Sequence, residues 1–417
     1  NQNSMAEAGT LPGSPALDAR MSDPFVLFNA DDPSLPACPD LLDPASTGIR
    51  LAGGDNWSVS LRRLRGGLAE GVEVVELCSG PLTVSLLPTR GMGIWKATLG
   101  GETAGWDSPA RRPVHPQYVD LGARNGLGWL DGFNELLCRC GLAFNGPPGI
   151  DPGARSPIES QLTLHGRIAN LPAHQVLVRF NTSGPGRISV TGVVDECTLF
   201  GPQLRLTSTT SVFAGGTTIQ IEDRVENLAS VESELELLYH INVGPPYLGE
   251  GSQLVAPAEI VVPRDACAAA GIETYDVYLG PTPGYAEQAF FFRLRGNALG
   301  ETRTLLRNAA GDRGFSVGFQ TSQLPCFTTW KCTQPVADGY VAGLEPGTDY
   351  PNFKSYERDQ GRVPVIAPGE AFTAGLTLGL CHTAEEVAAC EEEIRRLSGE
   401  AEPTIHRNPT PPFAPVT

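Results

Sequence analysis

Apolar and polar residues alternate with a period of two through most of this chain. VEVVELC (72–78), LTVSLLP (82–88), HQVLVRFN (174–181), RISVTGVVDE (187–196), QLRLTSTTSVF (203–213) and TTIQIEDRVEN (217–227) all show it. A strand sends successive side chains to opposite faces, so this spacing predicts half-buried strands. SELELLYHINV (233–243), AFFFRLR (289–295), FSVGFQ, CFTTWKC, GYVAGLE and AFTAGLTLGL continue the series. Val, Ile, Thr and Phe fill the runs, and 48 glycines and 36 prolines supply turns between them. One segment departs from the pattern. From Thr383, TAEEVAACEEEIRRL sets Val387, Cys390, Ile394 and Leu397 at helical spacing behind a Thr383–Glu386 capping box. No internal repeat of about 20–50 residues is visible, which argues against a propeller or solenoid. The prediction is an all-β protein: a large antiparallel β-sandwich with few helices.

Three regions follow from composition. Residues 1–22 read as a flexible leader, 23–400 as one sandwich domain, and 401–417 as a Pro-rich tail unfit for a helix or central strand. Within the domain, 105–160 is irregular and rich in Gly, Pro and Trp, as a loop decorating a sandwich would be. The chain carries a net charge of −17, with 27 arginines and three lysines, and no basic stripe. That balance speaks against nucleic acid or an anionic membrane as partner. No apolar run reaches the ~18 residues of a membrane span. The opening residues lack the apolar core of a secretory signal. The ten cysteines form no disulfide framework, and Cys138 and Cys140 lack zinc-ribbon spacing. Reduced cysteines in a cytoplasmic protein are expected, with no metal and no cofactor.

Some polar residues break the pattern. In SELELLYHINV, alternation puts Leu235, Leu237, Tyr239, Ile241 and Val243 on one face and Glu234, Glu236, Leu238, His240 and Asn242 on the other. His240 and Asn242 therefore project together from a strand whose opposite face is core. A solvent-facing histidine would explain His240 equally well. His165 ends a short apolar run before Gly166 and Arg167, where a turn is the simpler account. Glu345 closes the run GYVAGLE ahead of Pro346-Gly347, which is expected to break the strand. A carboxylate and a histidine on one sandwich face can serve as base and acid. Trp330 lies on the face opposite Thr329 and Lys331, and Trp129, Asp131 and Asn134 add groups suited to hydroxyls. Neither a Gly-x-Ser-x-Gly elbow nor a phosphate-cradling loop is present. Proton transfer is the chemistry left.

At these residues the chain resembles the galactose mutarotase-like superfamily, aldose 1-epimerases included. LHGR (164–167), LYHIN (238–242) and LEPGTDYPN (344–352) fall in that family's order. PTRGMGI, GLGWLDGF, LHGRIAN and the LEPGT segment are similar to its DUF4432 branch, over about residues 70–380. The resemblance implies a supersandwich with a sugar in a cleft on its concave face. It implies Glu345 as base on the anomeric hydroxyl, His240 as acid on the ring oxygen, and His165 as a sugar ligand that stabilises developing charge. Arg167, Asn242, Arg90, Lys331 and Trp129 complete the candidate sugar-binding set. Arg167 stands where the classical enzymes have a second glycine, so it could read an anionic substituent. The substrate is then a monosaccharide or sugar derivative, and the protein a monomer or homodimer. Two rivals share the fold: a non-catalytic carbohydrate-binding protein, and a polysaccharide lyase or glycoside hydrolase.

Overall fold

A computed structural model describes residues 21–32, 34 and 39–416. The predicted strands assemble into two large sheets. The nine-stranded sheet is antiparallel throughout and is built around Arg187–Cys197, Gln203–Phe213, Thr218–Asn227 and Ala371–Cys381. The thirteen-stranded sheet contains, side by side, Gly93–Leu99, Leu137–Cys140, Leu238–Val243, Val341–Gly347, Cys326–Cys332 and Gln288–Leu294. Alternation explains the packing. Gln175–Asn181 buries every second residue, Val176, Val178 and Phe180, in a core shared by the two sheets. From the facing sheet Tyr239, Ile241, Val243, Ala342, Leu344, Phe290 and Phe292 enter the same core.

Leu238–Val243 is buried on both faces. Its inner face meets the other sheet, and its outer face is covered by Trp129 and Phe133, with Trp106 packed beside them. The irregular region 105–160 thus forms a roof over the outer face. It is not all loop, however. Leu137–Cys140 lies inside it and pairs with Leu238–Val243 in the middle of the sheet. Four residues flanked by glycines and prolines were too short a run to show a period.

Two further expectations need correction. SELELLYHINV is not one strand: Ser233–Glu234 pairs with Val365–Ile366, and only Leu238–Val243 joins the large sheet. Nor does Glu345 end its strand. Val341–Gly347 runs through Pro346 and Gly347, which pair with Phe327 and Cys326. Toward Leu238–Val243, in contrast, the ladder is open between Ile241–Leu344 and Leu238–Gly347. Proline has no N–H to donate, so a gap at Pro346 is what its chemistry dictates.

The helix Ala384–Ser398 starts at Thr383 with the capping box to Glu386 and packs Val387, Cys390 and Ile394 on Leu305. The expected leader falls almost wholly outside the described residues, and Met21 and Ser22 already pair with Asn181 and Phe180. In the tail, Thr404–Ile405 adds a parallel edge strand to Ala258–Pro263, and Phe413 packs with Tyr350. The nine described cysteines are free thiols, of which Cys197 and Cys267 are exposed. Among the described residues no helix is long and apolar enough to cross a membrane.

Candidate active site

The register brings His240 and Glu345 together. Ile241 pairs with Leu344 and Leu238 with Gly347, so the same antiparallel register sets His240 directly opposite Glu345, inside the open part of the ladder. On the far sides, His240 pairs with Cys138 and Glu345 with Thr328. Four adjacent strands therefore line up Cys138, His240, Glu345 and Thr328 across one face. Directly opposite residues in a sheet stand about 4.5–5.5 Å apart, which is reach enough for two functional groups to meet. His240 Nε2 lies 3.4 Å from Glu345 Oε1, without hydrogen-bond geometry. The residues are 5% and 3% exposed, so the pair is nearly sealed from water.

Glycine makes room for the carboxylate. Gly343 is two residues before Glu345 on the same face, and a Cβ there would collide with Glu345 Oε1 and with Trp330 Cβ.

Each histidine is held by an asparagine. Asn242 donates through Nδ2 to the carbonyls of Glu135 (3.0 Å) and His240 (3.1 Å), so its Oδ1 faces His240 Nδ1 at 2.7 Å. An amide oxygen only accepts, so Nδ1 carries the proton and Nε2 is presented to Glu345. His165 Nδ1 likewise meets Asn145 Oδ1 at 3.0 Å, and the two imidazoles are 5.7 Å apart. His165 has φ 56°, a left-handed conformation that histidine tolerates better than most residues. Gly166 follows with φ 75°, against the carbonyls of Gly141 and Phe144, where no side chain would fit.

Burial sets the protonation. It pushes the Glu345 carboxyl up to about 8; Arg264 opposes the rise and Glu287 adds to it. Burial also drives His240 down to about 4, against the pull of Asn242, and His165 down to about 3. Burial thus leaves the pair's proton on the carboxyl and both imidazoles neutral. A neutral His165 with Nδ1–H engaged presents Nε2 as an acceptor. That suits a sugar hydroxyl and does not suit an oxyanion.

Aromatic rings pack around His165 and His240. Trp129 is 4.9 Å from His165, Phe133 4.9 Å and Trp330 5.5 Å from His240, centroid to centroid. Trp330 Nε1 donates to Glu287 Oε2 at 2.5 Å, and Glu287 Oε1 is 3.3 Å from Arg264. Three buried polar atoms of this face have no partner among the described residues: Glu345 Oε1, Trp129 Nε1 and Thr328 Oγ1.

Not every candidate residue reaches the cleft. Arg90 is buried in a structural network, bonded to Glu135 Oε1 (2.6 Å), Asn170 Oδ1 (2.9 Å) and the carbonyls of Val114 and Gly132. A turn arginine looks solvated in sequence; here the roof folds over it. Lys331 points to the inner face, as its alternation with Trp330 demands, and donates to the carbonyls of Thr274 and Val277. Burial lowers its ammonium to about 8. Asn242 spends its polar atoms on positioning His240, and Arg167 lines a separate cavity. The cation that does act on the cleft is Arg264, whose charge lowers both Glu345 and His165. Sequence reading missed it, along with Asn145, Thr328 and Glu287; only Gly343 and Thr328, spaced by two from Glu345 and Trp330, left a usable signal. Among the described residues, no group of three His, Cys, Asp or Glu side chains is placed to hold a metal ion.

Comparison with known proteins gives a consistent picture. Residues 69–380 match the family described as a domain of unknown function, DUF4432. A Klebsiella pneumoniae crystal structure, provisionally named an aldose 1-epimerase, is 33% identical with a TM-score of 0.86, covering 92% of this chain and 98% of that one. A galactose mutarotase-like protein from Clostridium acetobutylicum gives a TM-score of 0.53 at 15% identity, covering 79% of this chain and 100% of the other, and bears on the fold alone. Comparison with curated proteins gave no match. The architecture is the galactose mutarotase-like sandwich.

Proposed function

The chain belongs to the DUF4432 family, and from that premise we propose that it is an isomerase of the aldose 1-epimerase kind, interconverting anomers of a free sugar or sugar derivative. The observation that carries this reading is the in-register pair of His240 and Glu345, sealed from water and holding an unpartnered carboxyl oxygen. Ring opening needs one base and one acid, and no cofactor. Sugar hydroxyls that donate to Glu345 favour its charged form, so the proton moves toward His240 Nε2. Asn242 Oδ1, already accepting from Nδ1, supports the imidazolium that results.

Glu345 then takes the proton of the anomeric hydroxyl while His240 gives one to the ring oxygen. The electron pair of the O–H bond forms the aldehyde C=O, and the C1–ring oxygen bond breaks onto the incoming proton. Rotation of the aldehyde and reversal of both transfers yield the other anomer and restore the pair. Trp330, oriented by Glu287, offers an aromatic face for sugar C–H groups, and His165 Nε2 accepts a hydroxyl.

NMR exchange spectroscopy over hexoses, pentoses, uronic acids and sugar phosphates tests the proposal. Exchange above the spontaneous rate for at least one sugar, lost in Glu345→Gln, is the expected outcome. No acceleration for any of the four classes would sink it.

A further inference from the structure

A cavity of about 450 Å3 is lined by Arg167 but by none of His165, His240 and Glu345. Small-molecule sites typically occupy about 300–1,000 Å3. Leu121, Phe144, Leu162 and Pro202 form an apolar wall, and Ile158 and Val365, 54% and 57% exposed, mark the mouth.

The cations around it are compensated one by one. Arg155 is bonded to Glu159, and Lys354 to Glu234 and the carbonyl of Ala143. Arg358, behind the wall, holds Asp151 and Glu234. Glu196 accepts the backbone N–H groups of Leu142 and Ala143, and the carboxylate of Glu232 is exposed to screening water. Arg167 is the exception. Among the described residues the Arg167 side chain, on a residue of intermediate exposure, makes no hydrogen bond and no ion pair, and it acts on Glu196 only through its longer-range field. Thr163 Oγ1, also on this wall, is buried without a partner. Polar groups withdrawn from water are nearly always hydrogen-bonded, which makes the Thr163 hydroxyl an unmet group of this wall, and Arg167 adds beside it a guanidinium that nothing in the described protein occupies. A guanidinium presents only donors, in a planar fork that matches a carboxylate or phosphate.

We propose that this cavity is a second ligand site, separate from the sugar cleft, for a small organic anion. Its carboxylate or phosphate ester sits on Arg167 and the Thr163 hydroxyl, and its apolar body lies against Leu121, Phe144 and Leu162. The site does not depend on the mutarotase reading and stands or falls separately.

Ligand-observed NMR titration of the full chain tests it, with phenyl phosphate and benzoate as probes and benzyl alcohol as the neutral control. At least one anion is expected to bind with a Kd of roughly millimolar or tighter. Arg167→Gln should weaken that binding roughly 10- to 150-fold, the worth of a charge-assisted hydrogen bond, and leave benzyl alcohol unchanged. Ile158→Asp, at the exposed mouth, should weaken both anions by repulsion and keeps the test readable if Arg167→Gln folds poorly. Preference for phenyl phosphate assigns a phosphate ester, and preference for benzoate a carboxylate. Failure of both anions to bind, binding that survives Arg167→Gln and Ile158→Asp, or equal binding of benzyl alcohol would overturn the proposal.

Discussion

The strand Leu238–Val243 separates two buried polar regions that obey opposite rules. On its inner face, Tyr239 donates to Asp223 Oδ2 at 2.9 Å, and Arg139 bonds both oxygens of Asp223, Ser208 Oγ (2.7 Å) and the carbonyl of Met92 (2.9 Å). That cluster ties one sheet to the other and meets its hydrogen-bonding demand. On the outer face, one residue along, His240 and Glu345 face each other without bonding, and Glu345 Oε1, Trp129 Nε1 and Thr328 Oγ1 stay unpartnered. Both regions are equally dry, so burial does not tell them apart. Satisfaction does. An unmet buried group costs about 1–3 kcal/mol, and a ligand that completes several at once offsets that cost.

The largest effects should come from removing the central group of each region, with opposite consequences. Glu345→Gln preserves shape but cannot take a proton, so catalysed anomer exchange should fall about 10²–10⁴-fold. His240→Asn should match it, and the double variant should be little worse, because the two act as a unit. Stability should not fall. The folded Glu345 carboxyl, at about 8, lies above its ordinary value of 4.5. Its protonated form is therefore favoured by folding, and that contribution is complete below pH 4.5 and lost as the pH rises through about 8. Glu345→Gln escapes the loss and should gain on the wild type by roughly 1.4 kcal/mol per pH unit across that window. Urea denaturation at pH 5 and pH 8.5 measures it; an equal difference at both values contradicts the burial of the charge. Exchange rate in the wild type should trace a bell with limbs set by the pair, near about 4 and about 8.

Arg139→Met makes the complementary cut. It strands Asp223 as a buried, unpaired carboxylate, which typically costs about 3–5 kcal/mol. Denaturant midpoints should drop accordingly, while the protein that remains folded keeps its exchange activity. A loss under about 1 kcal/mol would mean that the inner cluster is not what joins the sheets.

Much of this contrast was legible in the sequence, and its limits have a physical cause. Alternation puts Tyr239 and His240 on opposite faces, because a period of two is a local property, and Glu345 stands out as a lone carboxylate in an apolar run ahead of Pro346-Gly347. What alternation cannot show is register between distant strands, so the direct opposition of residues 240 and 345 had to come from the structure. The same limit hid Arg139, in a four-residue strand within an apparent loop, and misplaced Arg90, whose partners lie 24 to 80 residues away. Alternation likewise sets Lys331 opposite Trp330, so only one of the two can face the site, and the register across strands decides that it is Trp330.

Gly343→Ala sharpens the comparison at smaller cost. A methyl at 343 displaces the Glu345 carboxyl without altering its chemistry. A shift near 1 Å in a reacting group can cost about 10²-fold, so kcat should fall by about that factor. Activity within twofold of wild type would show that the position of Oε1 is not limiting.

The smallest expected effect belongs to Asn145, which sits between the two kinds of region. Its Oδ1 holds His165, on the cleft side, while its Nδ2 lies 3.4 Å from both oxygens of Asp349 and its N–H donates to Glu236 Oε2. Burial raises both carboxyls, Glu236 to about 7; the charge of Lys354 opposes the rise at Glu236, and that of Glu357 adds to it at both. Asn145 thus converts a buried, structural carboxyl pair into the orientation of a cleft histidine. Asn145→Ala frees His165 Nδ1 and lets the ring turn. One neutral hydrogen bond is worth about 0.5–1.5 kcal/mol, so KM should rise roughly 2- to 13-fold. kcat should hold, because His165 neither gives nor takes the transferred proton. A shift in thermal midpoint with KM unchanged would instead make Asn145 a purely structural residue, and a matching fall in kcat would bring His165 into the proton transfer itself.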